Sequence, residues 1–146
     1  MISNRQRRVK IPRKQLQLFL ARVRRELRLG RAEFSVAMVT DAEISRLNKV
    51  YRGKSGPTDV LSFPASAASR GSTARRPPGV ARSLGDIAIA PAVAQKYARR
   101  NSRTLSHELR VLLLHGILHL LGYDHEADHG QMDRIEQKLR RRLGLS

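Results

Sequence analysis

The sequence predicts an α+β domain, a small mixed β-sheet covered by helices, with one buried helix at its centre. Three observations carry that expectation. Short runs of alternating or continuous apolar residues (Phe34, Val36 and Met38; residues 60 to 63; Ile87 and Ile89 within 84 to 90) have the period of strands. Between them lie segments whose apolar residues recur three and four apart, as on one face of a helix. In one of these, Leu105, Leu109, Leu112, Leu113 and Leu114 leave almost no polar side, which fits a helix buried all round. A length of 146 residues with 40% hydrophobic content suffices for one core, so residues 1 to 146 are expected to form a single domain.

The elements follow in order. Val9 and Ile11 are spaced as in a strand, which suggests a short edge strand within residues 2 to 11. Pro12 suits a first helical turn, and Leu16, Phe19, Leu20, Val23 and Leu27 form the apolar stripe of a helix that Gly30 ends. Its outer face carries Arg22, Arg24, Arg25 and Arg28. After the strand at 34 to 39, Thr40 and Glu43 make a capping-box pair for a helix with Ile44, Leu47, Val50 and Tyr51 inward, closed by Gly53 and Gly56. The run at 60 to 63, bounded by Pro57 and Pro64, and the run at 84 to 90 are expected to pair antiparallel across a basic loop at 65 to 83. Pro91 opens a helix to about residue 100, and Thr104 opens the apolar one. A last helix over 128 to 143 turns Met132, Ile135 and Leu139 inward and Arg140, Arg141 and Arg142 outward.

The apolar helix leads into HGILHLLGYDH, residues 115 to 125, which holds three of the five histidines. His115 and His119 are four apart and project from one helix face, close enough to share an ion. Were the helix to continue, His125 would lie about 9 Å further along and about 240° round from His119. Gly122 stands where a left-handed residue ends the helix and lets the chain return. Three imidazoles with no cysteine fit a tetrahedral Zn²⁺ whose fourth position is open, although Ni²⁺, Co²⁺ or Fe²⁺ accept the same nitrogens. Asp124, beside His125, is a candidate to orient a ligand imidazole or accept a proton from water, the alternative being that it satisfies the turn, and His129, four after His125, reads as a surface histidine rather than a fourth ligand.

The charge balance selects the partner. Twenty-nine Lys and Arg against 12 Asp and Glu give a net charge of +17. A surface this basic attracts polyanions by counterion release, so nucleic acid is expected. Arg outnumbers Lys 23 to 6, which suits phosphate, whereas three Phe, three Tyr and no Trp leave few platforms for base stacking. The absence of cysteine agrees with a reducing compartment, and with no membrane-length apolar run a cytoplasmic protein is expected. The His-x3-His-x5-His spacing also occurs in metzincin proteases, which place a glutamate base directly after the first histidine. Here that position is Gly116, which weakens a peptidase reading and favours phosphodiester hydrolysis in a basic setting.

HGILHLLGYDH, with YRGKSGPTDVLSFP at 51 to 64 and LGDIAIA at 84 to 90, resembles the YbeY family over nearly the whole chain. The resemblance implies a single-domain α+β metalloprotein: a zinc-dependent, single-strand-specific endoribonuclease of ribosomal RNA maturation and ribosome quality control. It implies His115, His119 and His125 as metal ligands and Arg52 as the basic residue of the active-site cleft, where it would clamp the scissile phosphate. Thr58, Asp59 and Ser62 are expected to border the same cleft. Expected partners are precursor ribosomal RNA and the small ribosomal subunit or its assembly factors, with no membrane. Two rival readings remain: a ribosome-associated RNA-binding factor with a structural zinc, and a metzincin-like peptidase.

Overall fold

In the computed structural model, residues 2–65, 81–124 and 128–145 are described. In chain order the elements are β1 (Ile2–Asn4), α1 (Arg13–Glu26), β2 (Glu33–Met38), α2 (Asp41–Arg52), β3 (Val60–Pro64), β4 (Ser83–Ile89), α3 (Pro91–Arg100), α4 (Leu105–Leu120) and α5 (Gln131–Arg142). The four strands form one mixed sheet in the order β1-β2-β4-β3. β1 and β2 pair parallel, as do β2 and β4, while β3 pairs antiparallel with β4 (Val60 opposite Ile89, Ser62 opposite Ile87) and forms an edge. The expected antiparallel pair is therefore present, and β3 is its outer member.

Strand alternation divides the core in two. Phe34, Val36, Met38, Ile87 and Ile89 face a large cluster with Leu16, Phe19 and Val23 of α1, the apolar side chains of α4, and Met132 and Leu139 of α5. Leu61, Ala88 and Phe63 face the other way, onto Ile44 and Leu47 of α2 and Val93 of α3. α4 is the pivot of the larger layer, because it packs against α1, α3, α5, β3 and β4. Leu109, Leu113, Leu114, Ile117, Leu118 and Leu120 are fully buried, and each such side chain contributes about 1.5–3 kcal/mol relative to an exposed one. A helix gripped on all sides holds its side chains in fixed positions, as a preorganised site requires.

The ends of α2 and α4 follow the expected local chemistry, while two other element boundaries depart from it. Thr40 Oγ1 accepts from Glu43 N at 3.1 Å, Thr104 Oγ1 accepts from His107 N at 3.0 Å, and α2 closes on Gly53 in the left-handed region. α1, however, ends at Glu26, before Gly30. Its left-handed residue is Arg28 at φ 52°, with Arg28 N donating to Arg25 O and Leu29 N to Arg24 O. A non-glycine residue there costs about 1–2 kcal/mol. The second exception is the N-terminal strand, which comprises residues 2 to 4. Val9 is buried in a turn instead, where the Gln6 side chain donates to Val9 O and accepts from Val9 N, each at 2.9 Å. Most of the expected basic loop, residues 66 to 80, lies outside the described residues.

Candidate active site

The last turns of α4 bring two imidazoles together. His115 Nε2 and His119 Nε2 are 3.1 Å apart, with ring centroids 4.6 Å apart and planes at 74°. On the other side of His115, its Nδ1 lies 2.8 Å from Glu136 Oε1 of α5. An ionised carboxylate only accepts, so Nδ1 carries the proton and His115 Nε2 presents its lone pair towards His119. Glu136 is buried, with its side chain 9% exposed, so the contact is shielded from water. This carboxylate was not anticipated from the sequence. The signal for it was an acid at the i+4 position from Met132 on the otherwise apolar stripe that continues to Leu139.

The donor set fits a metal ion. Two imidazole nitrogens bound to one tetrahedral ion at about 2.0–2.1 Å stand about 3.3 Å apart, close to the 3.1 Å between these two. A carboxylate on the far ring nitrogen is the usual support for a ligating histidine, because it fixes the tautomer and raises ligand basicity. His125, the third expected ligand, lies outside the described residues. Among the described residues no group of three or more His, Cys, Asp or Glu gathers at one point. On either side of His125 the chain is held. Gly122, at φ 101°, donates to His119 O at 3.0 Å, and Tyr123 N donates to Leu118 O at 3.1 Å, closing α4 where the glycine required. Asp124 O accepts from Asp128 N at 3.1 Å, and the Asp128 carboxylate accepts from Gly130 N and Met132 N, both at 2.8 Å, to start α5.

Gly116 has a packing role. A Cβ there would lie 3.0 and 3.2 Å from two side-chain atoms of Ile87 and 3.3 Å from Ser62 Oγ, which itself donates to Gly116 O at 3.3 Å. The position that carries the glutamate base in metzincins is here the point where α4 touches the sheet, with no free space for a carboxylate. Ser62 thus reaches the helix that bears the histidines. Thr58 and Asp59 stand just before β3, where Asp59 O accepts from Ala90 N at 2.9 Å and extends the ladder with β4. Arg52 is exposed at the end of α2. The neighbouring Tyr51 packs edge-to-face on Phe63, centroids 5.2 Å apart, on the sheet face away from α4. α2, which ends at Arg52, packs on the face of the sheet opposite α4. His129 is exposed, and its backbone N donates to Gln131 Oε1 at 2.6 Å. His107, in the first turn of α4, has its pKa lowered by burial and then by Arg103 and Arg110, which favours the neutral ring. No helix among the described residues is long and apolar enough to cross a membrane.

The chain is similar to known proteins over most of its length. The model of the Endoribonuclease YbeY family matches residues 1–144. Proteins named Endoribonuclease YbeY from Solibacter usitatus and Koribacter versatilis are each 41% identical over 130 residues, covering 89% of this chain and 78% and 76% of their own lengths. The solution structure of TM1509 from Thermotoga maritima superposes with a TM-score of 0.63 at 28% identity, covering 98% of this chain and 89% of that one. The α+β fold is thus shared, and the chain belongs to the YbeY family of endoribonucleases, hydrolases of RNA phosphodiester bonds.

Proposed function

We propose that this enzyme cuts unpaired segments of ribosomal RNA precursors, in ribosome maturation and quality control in the cytoplasm, with one Zn²⁺ held by His115, His119 and His125. The observation that carries the reading is the convergence of the two Nε2 atoms at 3.1 Å with Glu136 holding the far nitrogen of His115. A metal ion bound there would supply Lewis acidity for phosphodiester hydrolysis. The side chains do the rest. Glu136 keeps His115 in the tautomer that presents Nε2, Asp124 orients His125, and Arg52 clamps the scissile phosphate. With Arg52 at the end of α2 and the imidazoles at the end of α4, the RNA in this reading lies along the β3 edge, past Thr58, Asp59 and Ser62. The small ribosomal subunit or an assembly factor presents the substrate.

The test is cleavage of an unstructured RNA and of its duplex by purified protein, with zinc content measured in parallel. The expected result is cutting of the single strand alone, lost about 10²- to 10⁴-fold in Arg52→Glu and His115→Ala, with both variants folded and only the second depleted of zinc. Unchanged cleavage by both variants overturns the reading. Tight RNA binding by a pure zinc-loaded protein that never cuts assigns it instead to an RNA-binding factor with a structural zinc.

A further inference from the structure

The arginines on the outer face of α1 do not share one role. Arg24 stacks over the Phe34 ring at 4.9 Å and donates to Ala32 O, and Arg22 reaches the carbonyls of Arg142 and Leu143 at 3.4 and 3.5 Å. These two fasten α1 to its surroundings. Arg25 and Arg28 are exposed and line a groove of about 370 Å³ between the C-terminal ends of α1 and α5. Across it stand Lys138 and Arg142, and the floor is apolar, with Leu27 and Ile135. The one acid in the groove is Glu26, whose Oε2 pairs with Arg142 Nε at 2.9 Å. Four basic residues against one acid leave the groove strongly positive.

Arg28 is the informative residue. It occupies the left-handed position directly after a helix, which glycine fills without strain, and Gly30, two residues further on, is left-handed as well at φ 59°. A backbone outlier retained against its cost points to a use for the side chain. α5 connects the groove to the active site without merging them. Ile135 and Lys138 face the groove, while Glu136 on the same helix faces His115. One residue step turns a helix by about 100°, so the two sites occupy different faces of α5.

We infer that this groove is a second RNA-binding site, taking the sugar–phosphate backbone of the substrate strand away from the scissile bond. Its basic rim matches phosphate, and its apolar floor suits the face of an unpaired base or ribose. The inference rests on the endoribonuclease reading and adds a grip that contributes to affinity and takes no part in the chemistry.

The test uses the full-length protein and an unstructured RNA oligonucleotide, with binding measured in a His115→Ala background and turnover in the parent background. Arg28→Gly relieves the backbone strain, so its melting temperature should rise by about 3–5 °C, while RNA affinity falls about tenfold and the slope of log affinity against log salt loses about 0.7. Adding Lys138→Glu should deepen both effects and raise KM with kcat unchanged. Parental affinity and slope in both variants overturn the inference, as does a fall in kcat at constant KM. Binding of poly-glutamate that the double variant loses, with RNA affinity intact, assigns the groove to an acidic protein partner and also overturns it. If the parent itself cuts no RNA, the endoribonuclease reading fails; parental cutting with unaffected groove variants removes only the groove.

Discussion

A neutral imidazole has one bare nitrogen, and at His115 the choice between the two is made by Glu136, 2.8 Å from Nδ1. Glu136→Gln keeps an acceptor but removes the charge, so metal affinity should fall about 10- to 100-fold, read by competition with a chromophoric chelator while helicity stays constant. Parental affinity in this variant removes the positioning role. Gly116 illustrates the opposite limit, where a residue matters for what it lacks. In Gly116→Ala the new methyl meets Ile87 at 3.0 Å, which should destabilise the fold by about 1–3 kcal/mol through overpacking, measurable as a lower urea midpoint at constant slope. At this scale the sequence revealed the His115/His119 pair, because i, i+4 spacing on a helix is geometry. It could not reveal Glu136, whose contact joins residues 21 apart, nor why position 116 is glycine, since the constraint comes from Ile87 and Ser62 on the sheet.

Elements were legible where their ends are local and obscure where they are not. The caps at Thr40 and Thr104 and the stops at Gly53 and Gly122 follow from side chains within a turn of the helix end. α1 broke the pattern because the left-handed residue directly after it is Arg28, while Gly30, left-handed too at φ 59°, belongs to the turn beyond the helix. The alternation of Val9 and Ile11 was equally ambiguous, since Gln6 satisfies the backbone of Val9 and removes it from any sheet. The turn at Gly122 yields a prediction proper to this scale. A β-branched residue tolerates φ 101° poorly, whereas α4 is held by burial from Glu108 to Leu120. Gly122→Val should therefore lower bound zinc, by metal analysis, far more than it lowers helicity by circular dichroism. Equal zinc in variant and parent would refute the proposed dependence of metal binding on this turn.

For the whole molecule, composition pointed to a nucleic-acid partner but pattern could not order the sheet. That β2 lies between β1 and β4, parallel to both, is settled by packing α1, α4 and α5 on one face and α2 on the other. No short window of sequence contains that information. The net charge of +17 is distributed over this scaffold, and some of it is spent internally: Arg24 on Phe34, Arg142 on Glu26, Arg5 on Glu43. What remains exposed sets the dependence of RNA binding on salt. Each phosphate neutralised on a single strand contributes about −0.7 to the slope of log affinity against log salt, so a footprint of about five phosphates gives a slope near −3.5. The His115→Ala variant should keep that slope while losing cleavage, because the imidazole lies outside the electrostatic grip. Fluorescence anisotropy with an unstructured RNA across a salt series measures it. A flat response would show that the excess charge is not what holds the substrate, and a slope that collapses with His115 would place the grip at the metal site itself.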